Sequence, residues 1–268
     1  MVISLKERHE FLFLYNGLII KILFMENFPE SKLNSPKPQP QEKQENPVVV
    51  ITRLAEVAPE LQKLAREIVE SKKSYDLILS DDASARLVSL FLKKVMDEVQ
   101  IRRGENKPDI RFVSGGRHDT RIVFEAISNL LKEFDPKHVL LVTEYICSGD
   151  SIKKLTKILE DLKIDFDLAV LSSTTSGLKT AKEDVEKKPG QEVFLGSVGP
   201  MGLKLYGEGK GQGVVKAGGS YPVFSPVRYK DMTKDNEIKK EIQASVNQSR
   251  KDIDVLAKET LSLLSDAI

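Results

Sequence analysis

The central part of the chain alternates short apolar runs with stretches whose apolar residues recur at helical spacing. The apolar runs lie at residues 75–82, 109–116, 137–145 and 165–173, and each predicts a strand. Between them, apolar residues recur every three or four positions, which predicts helices with one buried face. These helices are expected over residues 59–71, 84–99, 121–134 and 151–162.

Strands that alternate with helices of this length indicate crossover connections and a parallel sheet. The strands are almost continuously apolar, as expected for a sheet covered on both faces. The pattern therefore predicts an α/β fold with a mainly parallel sheet flanked by helices. In the helix over 121–134, Ile122, Ile127 and Leu131 are predicted to face inward.

The pattern weakens in the C-terminal part of the chain. One more strand is predicted at 191–199, followed by an irregular, glycine-rich β/loop segment at 199–219 and an extended piece at 221–229. Residues 234–268 predict a long helix, packed against the core or against a second copy of the chain in a homodimer. Its predicted apolar stripe consists of Ile238, Ile242, Val246, Ile253, Leu256 and Leu264.

The N-terminal residues are expected to lie outside this fold. Residues 35–47 are rich in Pro, Gln and Glu, which is typical of a linker. The apolar run at 11–20 is shorter than the ~20 residues that span a bilayer, so no stable membrane insertion is expected. A disordered tail, or a translation artefact upstream of Met25, is favoured over an interfacial anchor. The expected division is tail and linker at 1–47, main domain at 48–232 and C-terminal helix at 233–268.

Composition narrows the class of protein. The chain is 40% hydrophobic and 30% charged with a formal net charge of +1, which fits a soluble globular protein and gives no overall field to recruit nucleic acid. A single cysteine excludes an internal disulfide, and a cytoplasmic location is the simplest interpretation.

Three loops that follow predicted strands carry the candidate functional residues. They lie at 80–86, 114–121 and 143–151. In an open parallel sheet, ligands bind beyond the carboxyl ends of the strands, where such loops meet. Together the loops supply small-residue turns, basic side chains and carboxylates, a combination that suits a ligand with phosphates and hydroxyls, together with Mg²⁺.

The third loop and its strand carry a family resemblance. VLLVTEYICSGDS, at 139–151, resembles the phosphoribosyl-diphosphate-binding signature of type I phosphoribosyltransferases: four apolar residues, two acids, an apolar pair and a Ser/Thr-Gly turn. Glu144 matches the second acid, while Thr143 stands where the family has its first. YDLILSDDASARL, at 75–87, resembles the family's pyrophosphate-binding loop.

The resemblance implies a phosphoribosyltransferase-like fold that binds 5-phosphoribosyl 1-diphosphate with Mg²⁺. Such an enzyme of nucleotide metabolism transfers the phosphoribosyl group to a nitrogenous acceptor and releases pyrophosphate. Glu144 would be the catalytic residue, contacting the ribose and the metal, and Arg117 and His118 are the candidates for closing over the substrate. The further substrate-binding residues implied are Ala83, Ser84, Arg86, Thr143, Cys147, Ser148, Gly149, Asp150 and Ser151.

Other interpretations stay open at this stage. Because Thr143 replaces the first acid, the alternative function is a non-catalytic regulatory module that binds a phosphorylated ribose compound. The turn at 147–151 could be an ordinary helix start capped by Ser148 or Asp150. Asp81 and Asp82 are as readily explained as solvated carboxylates at a helix entry as by ligand contacts, and Arg117 is also consistent with a surface turn. GEGKGQG, at 207–213, is expected to be a flexible loop, since no helix follows it.

Overall fold

The structure is a computed structural model that describes residues 53–81, 84–114, 118–199, 205, 211–215 and 227–265, and the backbone of 10–15 and 18–23. The chain divides into two units, residues 1–46 and 47–268. In the first unit, β1 (Glu10–Tyr15) and β2 (Leu18–Leu23) pair as an antiparallel hairpin, with Glu10 opposite Leu23. The expected division at 47 and 232 stays a prediction.

The second unit contains a five-stranded sheet that is parallel throughout. Its spatial order is β4-β3-β5-β6-β7, so the described strands run outward in both directions from the pair β3 and β5. This confirms the predicted α/β class with its parallel sheet. The strands are β3 (Leu77–Asp81), β4 (Asp109–Val113), β5 (His138–Ile146), β6 (Asp165–Ser173) and β7 (Val193–Val198).

Helices cover both faces of the sheet and create two hydrophobic layers. Apolar residues of α1, α2 and α6 pack on one face, together with Ile78, Leu140 and Ala169. Those of α3, α4 and α5 pack on the other, together with Leu79 and Leu141. The helices are α1 (Ala58–Glu70), α2 (Arg86–Arg102), α3 (Thr120–Phe134), α4 (Asp150–Asp161), α5 (Thr175–Val185) and α6 (Asn236–Leu263).

Two predicted core positions are wrong. Ile122 is 50% exposed and Ile238 is 40% exposed. Each lies in the first turn of its helix, where the side chain is not covered by neighbouring elements. The deeper positions of the same stripes, such as Ile127 and Ile253, are buried as predicted.

The C-terminal part contains further β-structure. Among the described residues there, β8 (Val214–Val215) pairs antiparallel with β9 (Val227–Arg228), which agrees with the expected small β-structure. The predicted strand near residue 195 is β7, and the predicted long helix is α6. No helix in the described part of the chain combines the length and the apolar character needed to cross a bilayer.

Candidate functional site

The strand order fixes one crevice at the carboxyl edge of the sheet. From β3 the chain crosses to β4 on one side, and it then returns to place β5 on the other side of β3. A sheet ordered in this way opens a crevice between β3 and β5, because the connections that follow these two strands leave toward opposite faces of the sheet. The loops after β3 and β5, which carry the two sequence motifs, therefore meet at this point.

The turn after β5 is built around one glycine in a left-handed conformation. Gly149 has φ +88° and is the residue that precedes the first residue of α4. An added Cβ would lie 3.3 Å from Thr180 Cγ2, and the backbone conformation itself is one that side-chain-bearing residues rarely adopt. Glycine is thus required for the chain to turn from β5 directly into a helix.

The beginning of α5 supports this turn from behind. The Thr174 hydroxyl donates to the Cys147 carbonyl at 3.0 Å, and the Thr174 N–H donates to the Ile146 carbonyl at 3.1 Å. The approach is so close that a Cβ on Gly177 would come within 2.7 Å of both carbonyl oxygens. The weak apolar pattern after Ser173 gave no prediction of α5, so its role at the site was missed.

A serine and an acid occupy the mouth of the turn. Ser148 and Asp150 are exposed, and the Ser148 hydroxyl donates to the Asp150 carboxylate at 2.8 Å. A carboxylate in the first turn of a helix is stabilised by the helix dipole, as a bound anion would be. Gly149 is the N-cap of α4 and no side chain caps this helix start, so the interpretation of Ser148 or Asp150 as its cap is wrong. A phosphate would compete with Asp150 for the same hydroxyl.

The carboxylates behind the turn are buried. Glu144 is 3% exposed and makes polar contact within the protein. Thr143 is 1% exposed, and its hydroxyl lies 3.5 Å from a carboxylate oxygen of Asp81 on the neighbouring strand. Asp81 itself is only 6% exposed, so its interpretation as a solvated carboxylate is wrong. Residue 82 lies outside the described residues.

The loop after β3 brings a hydroxyl and a guanidinium to the same edge. The Ser84 hydroxyl donates to the Asp81 carbonyl at 3.2 Å. Arg86 is the first residue of α2, and its guanidinium carbon lies 4.2 Å above the centre of the Phe112 ring. Cys147 is exposed and Ser151 half-buried at the second loop. Ala83 and Arg117, two of the predicted substrate-binding residues, lie outside the described residues.

Mg²⁺ has few protein ligands available here. No group of three or more His, Cys, Asp or Glu side chains in the described residues is arranged to hold a metal ion. Mg²⁺ is commonly held by one or two carboxylates together with the phosphates of a substrate. By the family resemblance, Glu144 would serve in that mode, in which the ligand would contribute most of the coordination.

A second polar cluster lies at the opposite, amino edge of the sheet. Asp167, which is fully buried, accepts hydrogen bonds from Lys73 Nζ at 2.9 Å, the Tyr75 hydroxyl at 2.8 Å and the Glu192 N–H at 2.7 Å. His138 Nε2 lies 3.0 Å from the same carboxylate.

These contacts change the pKa values within the cluster. Burial opposes ionisation of Asp167, but the hydrogen bonds from His138, Lys73, Tyr75 and Glu192 outweigh the effect of burial and lower the pKa of Asp167. Burial and the nearby Asp167 carboxylate raise the pKa of Tyr75.

Comparison with known proteins gives little further information. No protein-family model and no curated protein matches the chain. The crystal structure of orotate phosphoribosyltransferase from Aeropyrum pernix is similar to this chain with a TM-score of 0.32 and 14% sequence identity, over 54% of this chain and 70% of that chain. Similarity at this TM-score identifies neither a fold family nor a function.

Proposed function

We propose that the chain binds 5-phosphoribosyl 1-diphosphate at the crevice between β3 and β5 and transfers its phosphoribosyl group to a nitrogenous acceptor, releasing pyrophosphate. The observation that supports it best is the convergence of the two motif loops at the reversal of strand order. Each loop ends at a helix start, where backbone N–H groups and the helix dipole favour anions. The proposal places this activity in the cytoplasm and leaves the acceptor unassigned.

In this proposal, different residues of the chain bind different parts of the ligand. The N–H groups of the turn at Ser148 and Gly149 hold the ribose phosphate, while Ser84 and Arg86 face the pyrophosphate. Positive charge develops on the ribose ring as pyrophosphate leaves, and the carboxylate of Glu144 stabilises that charge. Mg²⁺, when bound, would neutralise the departing pyrophosphate.

The alternative is a regulatory module that binds the same ligand without turnover. Two observations favour it: a neutral Thr143 replaces the first acid of the signature, and Glu144 is almost fully buried. Binding requires the turn and the loop after β3, whereas turnover also requires Glu144 to reach the ribose. The two functions can therefore be separated experimentally.

The binding experiment titrates the protein with phosphoribosyl diphosphate and Mg²⁺ by calorimetry. Gly149→Ala should weaken binding about tenfold or more, because it distorts the turn. Asp150→Asn should tighten binding, since it removes a negative charge from the mouth of the turn. Gly190→Ala is the matched control, because Gly190 has φ +90° but lies away from the turn with no atom near an added Cβ. Absence of binding by the unmodified protein would contradict both functions.

The turnover experiment measures pyrophosphate release with a panel of nitrogenous bases. Release that disappears in Glu144→Gln, while that variant keeps its binding and its fold, is the result expected of the enzyme. Binding without release for every base would reject the transferase in favour of the regulatory module.

A further inference from the structure

A cavity lies in the cleft between α2 and α6. It has a volume of about 320 Å³ and is lined by apolar and charged side chains and by Gly211 and Gln212. Small-molecule sites in proteins occupy cavities of this size and mixed character. Arg86 belongs both to this cleft and to the loop after β3, so the cleft adjoins the carboxyl edge of the sheet.

Gln212 lines the cleft, and its amide has no hydrogen-bond partner among the described residues. Gln212 is 3% exposed, and among the described residues neither its Nε2 nor its Oε1 makes a hydrogen bond. A buried polar group without a partner is destabilising, and native structures contain few of them. The Gln212 amide combines a donor and an acceptor on one planar edge, so its natural complement is another planar group that presents an acceptor beside a donor.

The charge at the cleft is positive. Arg250 lines it and is exposed on α6, and Arg86 adds a second guanidinium that is also engaged by other groups of the protein. Lys94 and Asp254 also line it and pair with each other, which cancels the one carboxylate among the lining residues. An anionic group near Arg250 would therefore be favoured.

Aliphatic side chains from both helices also line the cleft. Leu87 and Leu90 line the cleft from α2, while Val246 and Ile253 line it from α6. Facing aliphatic side chains suit a flat ring, whose burial would contribute through the hydrophobic effect. The glutamine amide, the guanidinium and these walls each constrain one part of the ligand.

We propose that the cleft between α2 and α6 is a second ligand site, which takes a small planar anion with a lactam or carboxamide edge. The ring lies between the aliphatic walls, the anionic group meets Arg250, and a rotamer change of Gln212 brings its amide onto the lactam edge. This inference does not depend on what the turn after β5 binds.

The test uses isoorotate, a uracil ring that carries a carboxylate, with calorimetry or ligand-observed NMR on the full chain. Uracil provides the edge without the charge, and benzoate provides the charge without the edge. Isoorotate should bind, and each of the two partial probes should bind roughly tenfold more weakly, because each lacks one of the paired contacts.

Two variants and two matched controls locate the bound probe. Gln212→Leu and Arg250→Gln should each weaken isoorotate binding roughly tenfold, with a denaturant midpoint that shows an intact fold. Gln191→Leu replaces another buried glutamine whose amide lacks a partner among the described residues. Lys251→Gln removes a neighbouring exposed charge on α6. Both controls should leave binding unchanged.

Three results would overturn the inference: no binding of isoorotate, unchanged binding by Gln212→Leu, or a loss of isoorotate binding in Gly149→Ala equal to the loss of phosphoribosyl diphosphate binding. The last result would mean that isoorotate binds at the turn. Because the two ligands are titrated separately, failure of the cleft and failure of the proposed function are distinguished.

Discussion

At the residue scale, the replacement of the first acid by Thr143 has a structural counterpart on the next strand. The Asp81 carboxylate lies 3.5 Å from the Thr143 hydroxyl. A second carboxylate at position 143 would therefore face Asp81 in a buried environment, where two negative charges repel strongly. The sequence identified the substitution, but only the pairing of β3 with β5 shows which acid stands beside it.

Thr143→Asp should consequently make stability depend on pH. Repulsion would raise the pKa of the carboxylate pair in the folded state, so the folded protein would hold a proton that the unfolded chain releases above about pH 4. The added stability of the protonated form is lost as the pH rises, and we expect about 2 kcal/mol of destabilisation at neutral pH. Urea unfolding across this range measures it. Thr143→Val should show no such slope, and a flat profile for Thr143→Asp would contradict the argument.

Gly177 offers a second residue-scale prediction. Its missing Cβ allows α5 to begin against the carbonyls of Ile146 and Cys147. Gly177→Ala would force the turn and α5 apart, with an expected cost of about 2 kcal/mol in the free energy of unfolding and weaker binding at the turn. Gly199→Ala is the control, because an added Cβ there meets no atom within 4 Å. Equal midpoints for the two variants in denaturant would show that the turn does not rely on this contact.

At the element scale, the strongly periodic helices and apolar strands could be predicted from sequence, whereas α5 could not. In α5 only Ala181, Val185 and Gly177 are buried, and two of these contribute almost no apolar surface. The helix is held instead by its Thr174 cap and by its close approach to the turn. Contacts of this kind depend on partners distant in sequence, so local periodicity does not reveal them.

The cluster around Asp167 joins several elements at the amino edge of the sheet. It links β5 and β6 to the segments that precede β3 and β7. Because the folded-state pKa of Asp167 is lowered, its ionised form contributes stability above the unfolded carboxyl pKa of about 3.9, and that contribution is lost as the pH falls through the folded-state value.

Asp167→Asn should therefore cost about 3 kcal/mol at neutral pH and less in acid, because Lys73, Tyr75 and His138 lose a buried, ionised acceptor. Lys73 keeps its pair with the more exposed Glu192 and its hydrogen bond to the Gly190 carbonyl. Unfolding midpoints measured from neutral to acidic pH would show the unmodified protein and the variant converging. Asp165→Asn removes an exposed carboxylate from the same strand and should change little at any pH. A constant difference between Asp167→Asn and the unmodified protein would show that the ionised form has no special role.

At the scale of the whole molecule, the described residues of both hydrophobic layers lie between Leu54 and Leu264. A chain that begins at residue 47 retains all of them and should therefore unfold in a single cooperative transition in urea. Circular dichroism during the urea titration follows this transition. An unfolding curve with two transitions, or with none, would contradict the prediction.

The order of the strands was not available from sequence, although their parallel direction was. Crossover connections can place a new strand on either side of the sheet, and the side is decided by which helices pack on which face. The candidate site depends on that choice, because the return of β5 to the free side of β3 opens the crevice. The sequence could thus identify the two loops, but it could not show that they lie next to each other in the fold.

The support that α5 gives to the turn after β5 has a consequence for the thermodynamics of binding. The carbonyl oxygens of Ile146 and Cys147 are already hydrogen-bonded from behind, which holds this stretch of backbone in place before any ligand arrives. Much of the free energy of association is commonly consumed by the loss of conformational entropy when a flexible loop becomes ordered. Here much of the turn's own loss has already occurred during folding, so a ligand bound at this preorganised turn would lose less affinity to loop ordering than at a flexible loop.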